Sequence, residues 1–296
     1  MSYPYKPQKM NIIGSGKLGR TLARLFYEAG HVQIGGIYNR NPESSQSALN
    51  FIGDGTISAA LEVMPNADFW LIATPDDAIQ DCSKQLAQLN KAWCNTIVFH
   101  TSGLKTSAEL SALKSSGSAI ASIHPAHSFA NPEQSLSTFK NTVCALEGDT
   151  QALQKITPLL EAIHAQTTHI QPEAKALYHA ATVIASNYLV TLNEVSNALL
   201  AKAGFNEQLS TAVLAPLMTQ TLKNTLETGA KNALTGPIAR GDQQTIKTHL
   251  EALKRDLPEY TGLYKTLGEK TLQLAKKQNN LSPEGIQALR NILDDQ

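Results

Sequence analysis

The chain has 296 residues, of which 42% are hydrophobic and 17% are charged. These are the values of a globular protein, and the length indicates two domains, because one domain takes about 150 residues. Lysine and arginine balance aspartate and glutamate at 25 residues each, which excludes the basic composition of a typical nucleic-acid-binding protein. We therefore expect no nucleic-acid partner.

Secretion and membrane insertion are also not expected. The three cysteines, Cys82, Cys94 and Cys144, are odd in number and lack CxxC spacing, which argues against a disulfide framework. The N-terminal stretch has no apolar core typical of a signal peptide, and the sequence contains no run of about 18 apolar residues. We expect a cytoplasmic protein without a membrane partner.

The first half of the chain alternates short apolar runs with helical patterns. Predicted strands cover 10–14, 32–40, 68–75, 95–103, 118–125, 141–148 and 166–170. Predicted helices cover 17–30 and 149–165, with further helical patterns between the strands. This alternation predicts a parallel sheet covered on both faces. The predicted class is α/β, with a doubly wound Rossmann domain over residues 1–170.

The pattern becomes helical after Pro172. Predicted helices cover 172–203, 206–228, 242–255, 258–278 and 283–293, with a kink at Pro216. The chain over 171–296 is therefore predicted to form an all-helical C-terminal domain.

A glycine-rich segment, NIIGSGKLGRTL, lies between the first predicted strand and the first predicted helix. Gly14, Gly16 and Gly19 form a GxGxxG pattern there. Such glycines allow a tight turn and close approach of a pyrophosphate, and the helix N-terminus supplies free N–H groups. The alternative is an ordinary strand–turn–helix. We predict cofactor contacts from Gly14, Ser15, Gly16, Lys17, Leu18 and Gly19.

The end of the second predicted strand distinguishes the two nicotinamide cofactors. An acidic residue there would bind the ribose 2′-hydroxyl of NAD, but this strand ends with Asn39 and Arg40. A guanidinium suits a 2′-phosphate, so NADP is favoured over NAD. The alternative is that Arg40 is a surface residue and that the pocket accepts both cofactors.

The loop ATPDDAI follows the next core strand. Loops at the carboxyl ends of strands face the cofactor, which makes Thr74 and Pro75 candidates for the nicotinamide side. Asp76 and Asp77 are interpreted as caps of the next helix in preference to a catalytic carboxylate pair.

Two further loops, FHTSG (99–103) and IHPAHSF (123–129), end adjacent predicted strands. Ser102 is a candidate to orient a substrate and His124 to bind it. The alternatives are a turn serine and a packed histidine. His100, His124 and His127 are conceivable metal ligands, but no carboxylate or cysteine has matching ligand spacing, so no metal is expected.

The helical stretch KALYHAATVIASN covers 175–187. At 100° per residue, Lys175, His179, Thr182 and Ser186 fall within an arc of about 60°. A solvated face is the common interpretation of such a stripe, yet 176–193 contains no charged side chain. We therefore expect the helix to be covered on most sides and its polar groups to meet partners or a ligand.

Candidate residues in this half of the chain have different roles. Lys175 and His179 are candidate proton-exchanging groups, and Asn187 is assigned to substrate binding. Arg240, in LTGPIARGD, is placed to bind an anionic substrate or the cofactor. The alternative for Arg240 is a loop arginine in solvent or at an interface.

The glycine loop, HTSG, HPAHSF, KALYHAATVIASN and LTGPIARGD together resemble a bacterial family. In that family a Rossmann-like domain precedes domain of unknown function 2520, and members are described provisionally as NADP oxidoreductases. The resemblance spans nearly the whole chain and implies a fold more than a substrate.

The architecture is also similar to that of β-hydroxyacid dehydrogenases, 6-phosphogluconate dehydrogenase, pyrroline-carboxylate reductase and ketopantoate reductase. This likeness implies a helical second domain that often forms a homodimer, with the substrate site between the domains. In the β-hydroxyacid dehydrogenases a serine after a strand works with a helical Lys-x-x-x-Asn. Ser102 and Lys175 match the serine and lysine, whereas His179 stands at the asparagine position.

These observations leave three hypotheses. The first is an NADP(H)-dependent oxidoreductase that transfers hydride to or from a small, anionic carbonyl/alcohol or imine/amine substrate. The second is a non-catalytic NADP-binding or sensing protein, which shares the cofactor features but has no need of ionisable groups beside the nicotinamide. The third is a dimeric scaffold with a vestigial cleft.

Overall fold

A mixed β-sheet organises the first part of the computed structural model, which describes residues 8–294. The strands are β1 (Gln8–Ile13), β2 (Val32–Tyr38), β3 (Thr56–Ile57), β4 (Phe69–Ile72), β5 (Ile97–His100), β6 (Ala119–Pro125), β7 (Val143–Gly148) and β8 (Gln166–His169). Their order across the sheet is β3-β2-β1-β4-β5-β6-β7-β8. The first six strands are parallel to one another and have the 3-2-1-4-5-6 order of a dinucleotide-binding sheet.

Helices connect these strands. They are α1 (Lys17–Glu28), α2 (Pro42–Ile52), α3 (Ile79–Ala87), α4 (Ser111–Ser115), α5 (Pro132–Thr138), α6 (Thr150–Ala162) and α7 (Lys175–Ala185). Successive residues of a strand enter two separate hydrophobic clusters. Phe69 and Leu71 belong to one cluster, and Trp70 and Ile72 belong to the other. Because alternate side chains point to opposite faces, both faces of the sheet are covered, as the apolar runs predicted.

The sheet departs from the predicted parallel arrangement at β7, which is antiparallel to β6. The connection carries only α5, whose seven residues span about 10 Å, whereas the seven residues of β6 span about 23 Å. Such a helix cannot bring the chain back along the whole strand. The chain re-enters the sheet beside its exit point, where Ala126 N donates to Val143 O at 2.9 Å.

The second part of the chain is helical, as predicted. Its helices are α8 (Asn187–Lys202), α9 (Glu207–Thr228), α10 (Ala230–Ala233), α11 (Pro237–Arg240), α12 (Gln243–Asp256), α13 (Thr261–Lys276) and α14 (Pro283–Asp294). Residues of α11 to α14 supply most of a separate hydrophobic core, which includes Ile246, Leu272 and Leu289. The continuous helix predicted over 172–203 is divided at Ser186, and α9 continues through Pro216.

The contacts within the chain divide it into two compact units, and the division falls between Ser186 and Asn187. The helix α7 therefore belongs to the unit that contains the sheet. The predicted division into folding domains at residue 170 stays a prediction. Residues 1–7, which contribute to the expectation that a signal peptide is absent, lie outside the described residues.

The surfaces of α7, α8 and α9 are unusually apolar for a single chain. Leu177 in α7 is 80% exposed, and Leu226 in α9 is 77% exposed. Over the described length of α7, Lys175 is the one buried residue, and α8 has none. The expectation that the 175–187 stretch is covered on most sides is therefore wrong for the single chain, because its apolar face points away from the sheet. No helix within residues 8–294 is both long and apolar enough to cross a bilayer.

Candidate active site

The glycine loop between β1 and α1 has a geometry that excludes side chains at two positions. Gly14 has a φ of +80°, and a Cβ there would approach the Ala73 backbone to 2.8 Å. A Cβ on Gly19 would lie 2.3 Å from the Gly14 carbonyl oxygen. The first residue therefore makes the turn, and the third allows α1 to pack tightly on the loop.

Gly16 serves the opposite purpose, because it leaves space. A Cβ on Gly16 would meet nothing within 4 Å, and this residue precedes α1 without a side-chain cap. The first N–H groups of α1 have no intrahelical acceptor and carry the positive end of the helix dipole. This open, uncapped helix start fits a pyrophosphate.

A cavity of about 680 Å³ extends from this loop over the carboxyl end of β2. Its wall includes Gly14, Ser15, Gly16, Arg20, Asn39, Arg40, Ser44, Thr74 and Pro75. Asn39 braces the loop: its Oδ1 accepts from Ser15 N at 2.7 Å, and its Nδ2 donates to Ser15 Oγ at 2.6 Å. Arg20 and Arg40 are the cationic side chains on this wall. Arg20 Nε donates to Ser15 O at 3.1 Å and its Nη1 donates to Ser47 Oγ at 3.0 Å, whereas Arg40 forms no hydrogen bond within residues 8–294.

A second cavity, of about 430 Å³, shares Gly16, Ala73, Thr74 and Pro75 with the first. Its other lining residues include Lys17, Leu18, Gly19, Asp76, Ser102, Gly103, His124 and His179. The buried Oγ1 of Thr74, on the shared wall, has no hydrogen-bond partner. The structure therefore gathers every predicted cofactor residue around two adjoining cavities.

His124 and His179 approach each other above Gly103. Their ring centroids are 5.7 Å apart with an interplanar angle of 89°. A Cβ on Gly103 would lie 2.5 Å from His179 Nδ1 and 2.9 Å from His124 Nε2. Glycine is therefore required between the rings. The buried Nδ1 of His179 has no hydrogen-bond partner.

Tyr178 is the hydrogen-bond partner of His124. The Tyr178 hydroxyl lies 2.8 Å from His124 Nδ1 and donates to the His124 carbonyl oxygen at 3.5 Å. Burial, followed by the nearby His179 and Lys175, lowers the pKa of His124 to about 4. The ring is therefore neutral near pH 7.

Asp76 is a member of the site that the sequence interpretation missed. The short 3₁₀ helix at Asp76–Ala78 is preceded by Pro75, and α3 is preceded by Ala78, so neither Asp76 nor Asp77 is a cap. Ser102 Oγ donates to Asp76 Oδ2 at 2.7 Å. The sequence feature that could have identified Asp76 is its position directly after Thr74 and Pro75, at the carboxyl end of β4.

Lys175 is 1% exposed and does not line the second cavity. Its Nζ donates to Ser122 Oγ at 2.7 Å and to Ser102 O at 3.1 Å. Glu147 Oε1 lies 3.9 Å away, and Glu147 also accepts from the backbone N–H and hydroxyl of Ser107. Burial lowers the pKa of Lys175, while Glu147 and Asp76 oppose this shift. Lys175 thus anchors α7 beneath the Ser102 loop.

His100 forms hydrogen bonds with the loop that contains Ser102. Its Nδ1 accepts from Ser102 N at 3.2 Å, which leaves Nε2 to donate to Thr106 O at 3.0 Å. Burial lowers the pKa of His100 to about 4. Over residues 8–294, no three histidine, cysteine or acidic residues are arranged to hold a metal. His127 instead packs against Phe129 and Phe139.

The other two predicted substrate residues belong to the second unit. Asn187 begins α8 and Arg240 ends α11, and both are exposed. Their role in substrate binding stays a prediction.

The strand order and the glycine loop define a Rossmann-type fold. Residues 5–125 match the model of a Rossmann-like domain, and residues 142–271 match that of a domain of unknown function, DUF2520. The chain therefore combines these two domains, which confirms the family indicated by the motifs. Among curated proteins, none matches the sequence.

Solved structures share this fold over almost the whole chain. Protein TM1727 from Thermotoga maritima is 27% identical, with a TM-score of 0.70 over 91% of this chain and 99% of its own. A Bacteroides fragilis protein, BF3122, named provisionally as an NADP oxidoreductase, is 20% identical, with a TM-score of 0.76 over 90% and 98%. Plasmodium falciparum pyrroline carboxylate reductase, solved with NADP, is 11% identical, with a TM-score of 0.58 over 97% and 98%. The last two likenesses concern the fold alone.

The lowered pKa values of His100 and His124 predict a pH effect on stability. Both rings are neutral in the folded chain down to about pH 4, but they titrate near 6.5 when unfolded. As pH falls from 6.5 towards 4, the unfolded chain binds more protons, so these groups lower the free energy of unfolding. Ring NMR signals, assigned with His100→Asn and His124→Asn, should show neither ring titrating above about pH 5. A midpoint near 6.5 for either ring would contradict the burial argument.

Proposed function

We propose that the protein is an NADP(H)-dependent oxidoreductase that acts on a small carbonyl/alcohol or imine/amine substrate. One observation carries the proposal: the dinucleotide cavity and the histidine-lined cavity share the wall formed by Gly16 and 73–75. A nicotinamide on that wall would supply or accept the hydride. The protein's own groups would then bind the substrate and manage its proton.

The cation pair on the first cavity supports NADP as the cofactor. The residue at the end of β2 is Asn39, whose side chain is hydrogen-bonded to Ser15. This position therefore offers no acidic side chain to bind a ribose 2′-hydroxyl. Arg20, Arg40 and Ser44 line the same wall and offer donors to a 2′-phosphate. The solved pyrroline carboxylate reductase of similar fold binds NADP, which accords with this choice.

His179 is the better candidate for proton exchange. Both it and Lys175 were candidates, but Lys175 Nζ is occupied by Ser102 O and Ser122 Oγ. His179 Nδ1 is enclosed at the cavity wall without a partner. A non-catalytic NADP sensor has no need of such a group, so His179 favours the enzyme over the sensor.

We also propose that the protein is a homodimer through its helical part. The 22 residues of α9 include two buried ones, Ser210 and Leu214. One face of the helix carries exposed apolar residues at four-residue spacing, Leu209, Val213 and Leu217, which are 53%, 41% and 60% exposed. Helices gain most of their stability by packing an apolar face, and a second copy of the chain would cover this one.

Arg40→Ala should weaken NADPH binding far more than NADH binding. A hydrogen bond to a charged group contributes about 1.5–3 kcal/mol, which corresponds to roughly 10- to 150-fold in Kd. Isothermal titration calorimetry measures both affinities, and Arg290→Ala, an exposed arginine on α14, is the matched control. Equal losses for both cofactors would contradict the assignment of Arg40 to the 2′-phosphate.

His179→Gln should lower turnover by about 10²- to 10⁴-fold on any ketone or keto acid that the protein reduces and on any amine that it oxidises, because these reactions move a proton at the reacting atom and general acid–base catalysis supplies that factor. NADPH absorbance measures the rate against a panel of ketones, keto acids and imines. His169→Gln, at an exposed position of β8, is the control. Unchanged turnover in His179→Gln, with NADPH affinity intact, would remove His179 as the proton-exchanging group.

Leu209→Glu combined with Leu217→Glu should convert a dimer to a monomer. Burying each leucine contributes about 1.5–3 kcal/mol, and a buried carboxylate reverses that gain. Light scattering after size exclusion measures the mass. Gln208→Glu with Gln273→Glu adds the same charge at exposed polar positions and should leave the dimer intact. A monomeric parent protein would refute the proposal.

A further inference from the structure

The hydrogen bonds of Ser102 determine the state of Asp76. Ser102 Oγ accepts from Leu104 N at 3.1 Å and from Lys105 N at 2.8 Å. A hydroxyl has two acceptor lone pairs and one hydrogen, so its hydrogen is directed to Asp76 Oδ2 at 2.7 Å. Asp76 is therefore held as an acceptor. The Ser102 hydroxyl has no capacity left for a substrate and acts as a positioning group for this carboxylate.

The charge of Asp76 has no cationic partner in contact with it. Lys175, the nearest buried ammonium, is paired with Glu147 at 3.9 Å and is separated from the cavity by the Ser102 loop. Burial lowers the pKa of His124, so its ring is neutral near pH 7. Lys17 lines the same cavity as Asp76 but forms no salt bridge with it. Within the described range 8–294, no salt bridge to Asp76 occurs, so its carboxylate faces the second cavity without a cation in contact with it.

We propose that Asp76 contacts the substrate and that the reacting end of the substrate is a cationic nitrogen, an iminium ion in reduction or an amine in oxidation. This inference rests on the proposed oxidoreductase function and selects one of its two substrate classes. A half-buried carboxylate without a cation favours a ligand that brings its own positive charge. An acidic group elsewhere on the substrate is compatible with this choice.

Hydride transfer to or from a C–N bond needs only the nicotinamide, His179 and Asp76. In reduction, the carbon of R₂C=NHR⁺ gains a hydride from the nicotinamide, the π electron pair moves onto nitrogen, and a neutral amine results. In oxidation, His179 Nδ1 first removes a proton from R₂CH–NH₂R⁺, which frees the nitrogen lone pair that forms the C=N bond as hydride leaves. Asp76 stabilises the cation in both directions and keeps an imine protonated at neutral pH, because a nearby opposite charge favours the charged form.

The test compares ligands of matched shape with and without the positive charge. Pyrrolidine and piperidine, against cyclopentanol and cyclohexanol, are titrated by NMR into the protein saturated with NADP⁺. The amines should bind at least about tenfold more tightly, and this preference should disappear in Asp76→Asn, because a single charge pair in such a site contributes more than 1 kcal/mol. Glu62→Gln, which removes an exposed carboxylate of the same unit, should retain it. Ser102→Ala should reduce the preference while leaving the carboxylate in place.

A second readout separates this inference from the proposed function. Oxidation of NADPH is followed with 1-pyrroline against cyclopentanone and with 2,3,4,5-tetrahydropyridine against cyclohexanone. Turnover of the ketones without turnover of the imines would uphold the oxidoreductase and overturn the cationic site. Amine preference lost in Asp76→Asn, in a protein that turns over neither the ketones nor the imines with NADPH, would uphold the cationic site and overturn the oxidoreductase. Equal binding of amines and alcohols, or preference unchanged in Asp76→Asn, would overturn the role of Asp76.

Discussion

The buried ammonium of Lys175 is the constraint on which the candidate site depends. Removing an ammonium from water costs several kcal/mol unless hydrogen bonds and an opposite charge offset it. Here the offsets are Ser102 O, Ser122 Oγ and Glu147, which come from the loop after β5, from β6 and from β7. Satisfying one charge therefore brings α7 and three parts of the sheet into a single arrangement. His179 lies one helical turn beyond Lys175, so its place at the cavity wall follows from that anchor.

The Ser102 loop is rigid for a related reason, since every polar group of Ser102 is used. Its N–H binds His100, its carbonyl accepts from Lys175, and its hydroxyl connects Asp76 to two backbone N–H groups. The arrangement requires a neutral His100, because protonation would direct an N–H at the N–H of Ser102. A site whose supporting groups are fully bonded holds its cavity-facing groups in position before a ligand arrives, which is the condition for electrostatic selection.

Local patterns were enough to predict the sheet strands, the glycine loop and the helical second half. Alternating apolar residues and turn glycines are requirements of single segments, so they can be recognised in the sequence without knowledge of tertiary contacts. Glu147 and Asp76 were missed because their roles depend on long-range register. Glu147 faces Ser122 only because β7 is antiparallel to β6, and that reversal follows from the shortness of α5. The stripe on the 175–187 helix was visible, but periodicity does not tell which face of a helix meets its own protein.

That ambiguity has a structural consequence, because α7 is amphipathic in the reverse of the usual sense. Its polar stripe, Lys175 and His179 with Tyr178 beside it, meets the sheet unit, while Leu177 and Ile184 are 80% and 61% exposed. An ordinary surface helix is held by its apolar face, whereas this one is held by a few directional polar bonds. Such bonds orient a helix more specifically than apolar contact does, but they bury little surface. The exposed Leu177 and Ile184 offer the apolar surface that the polar face of α7 does not bury. A partner that covers these two residues would stabilise α7 without changing the groups that face the cavity. The orientation of α7 can thus be set by hydrogen bonds on its polar face, while its stability is increased by apolar contacts with a partner on its opposite face.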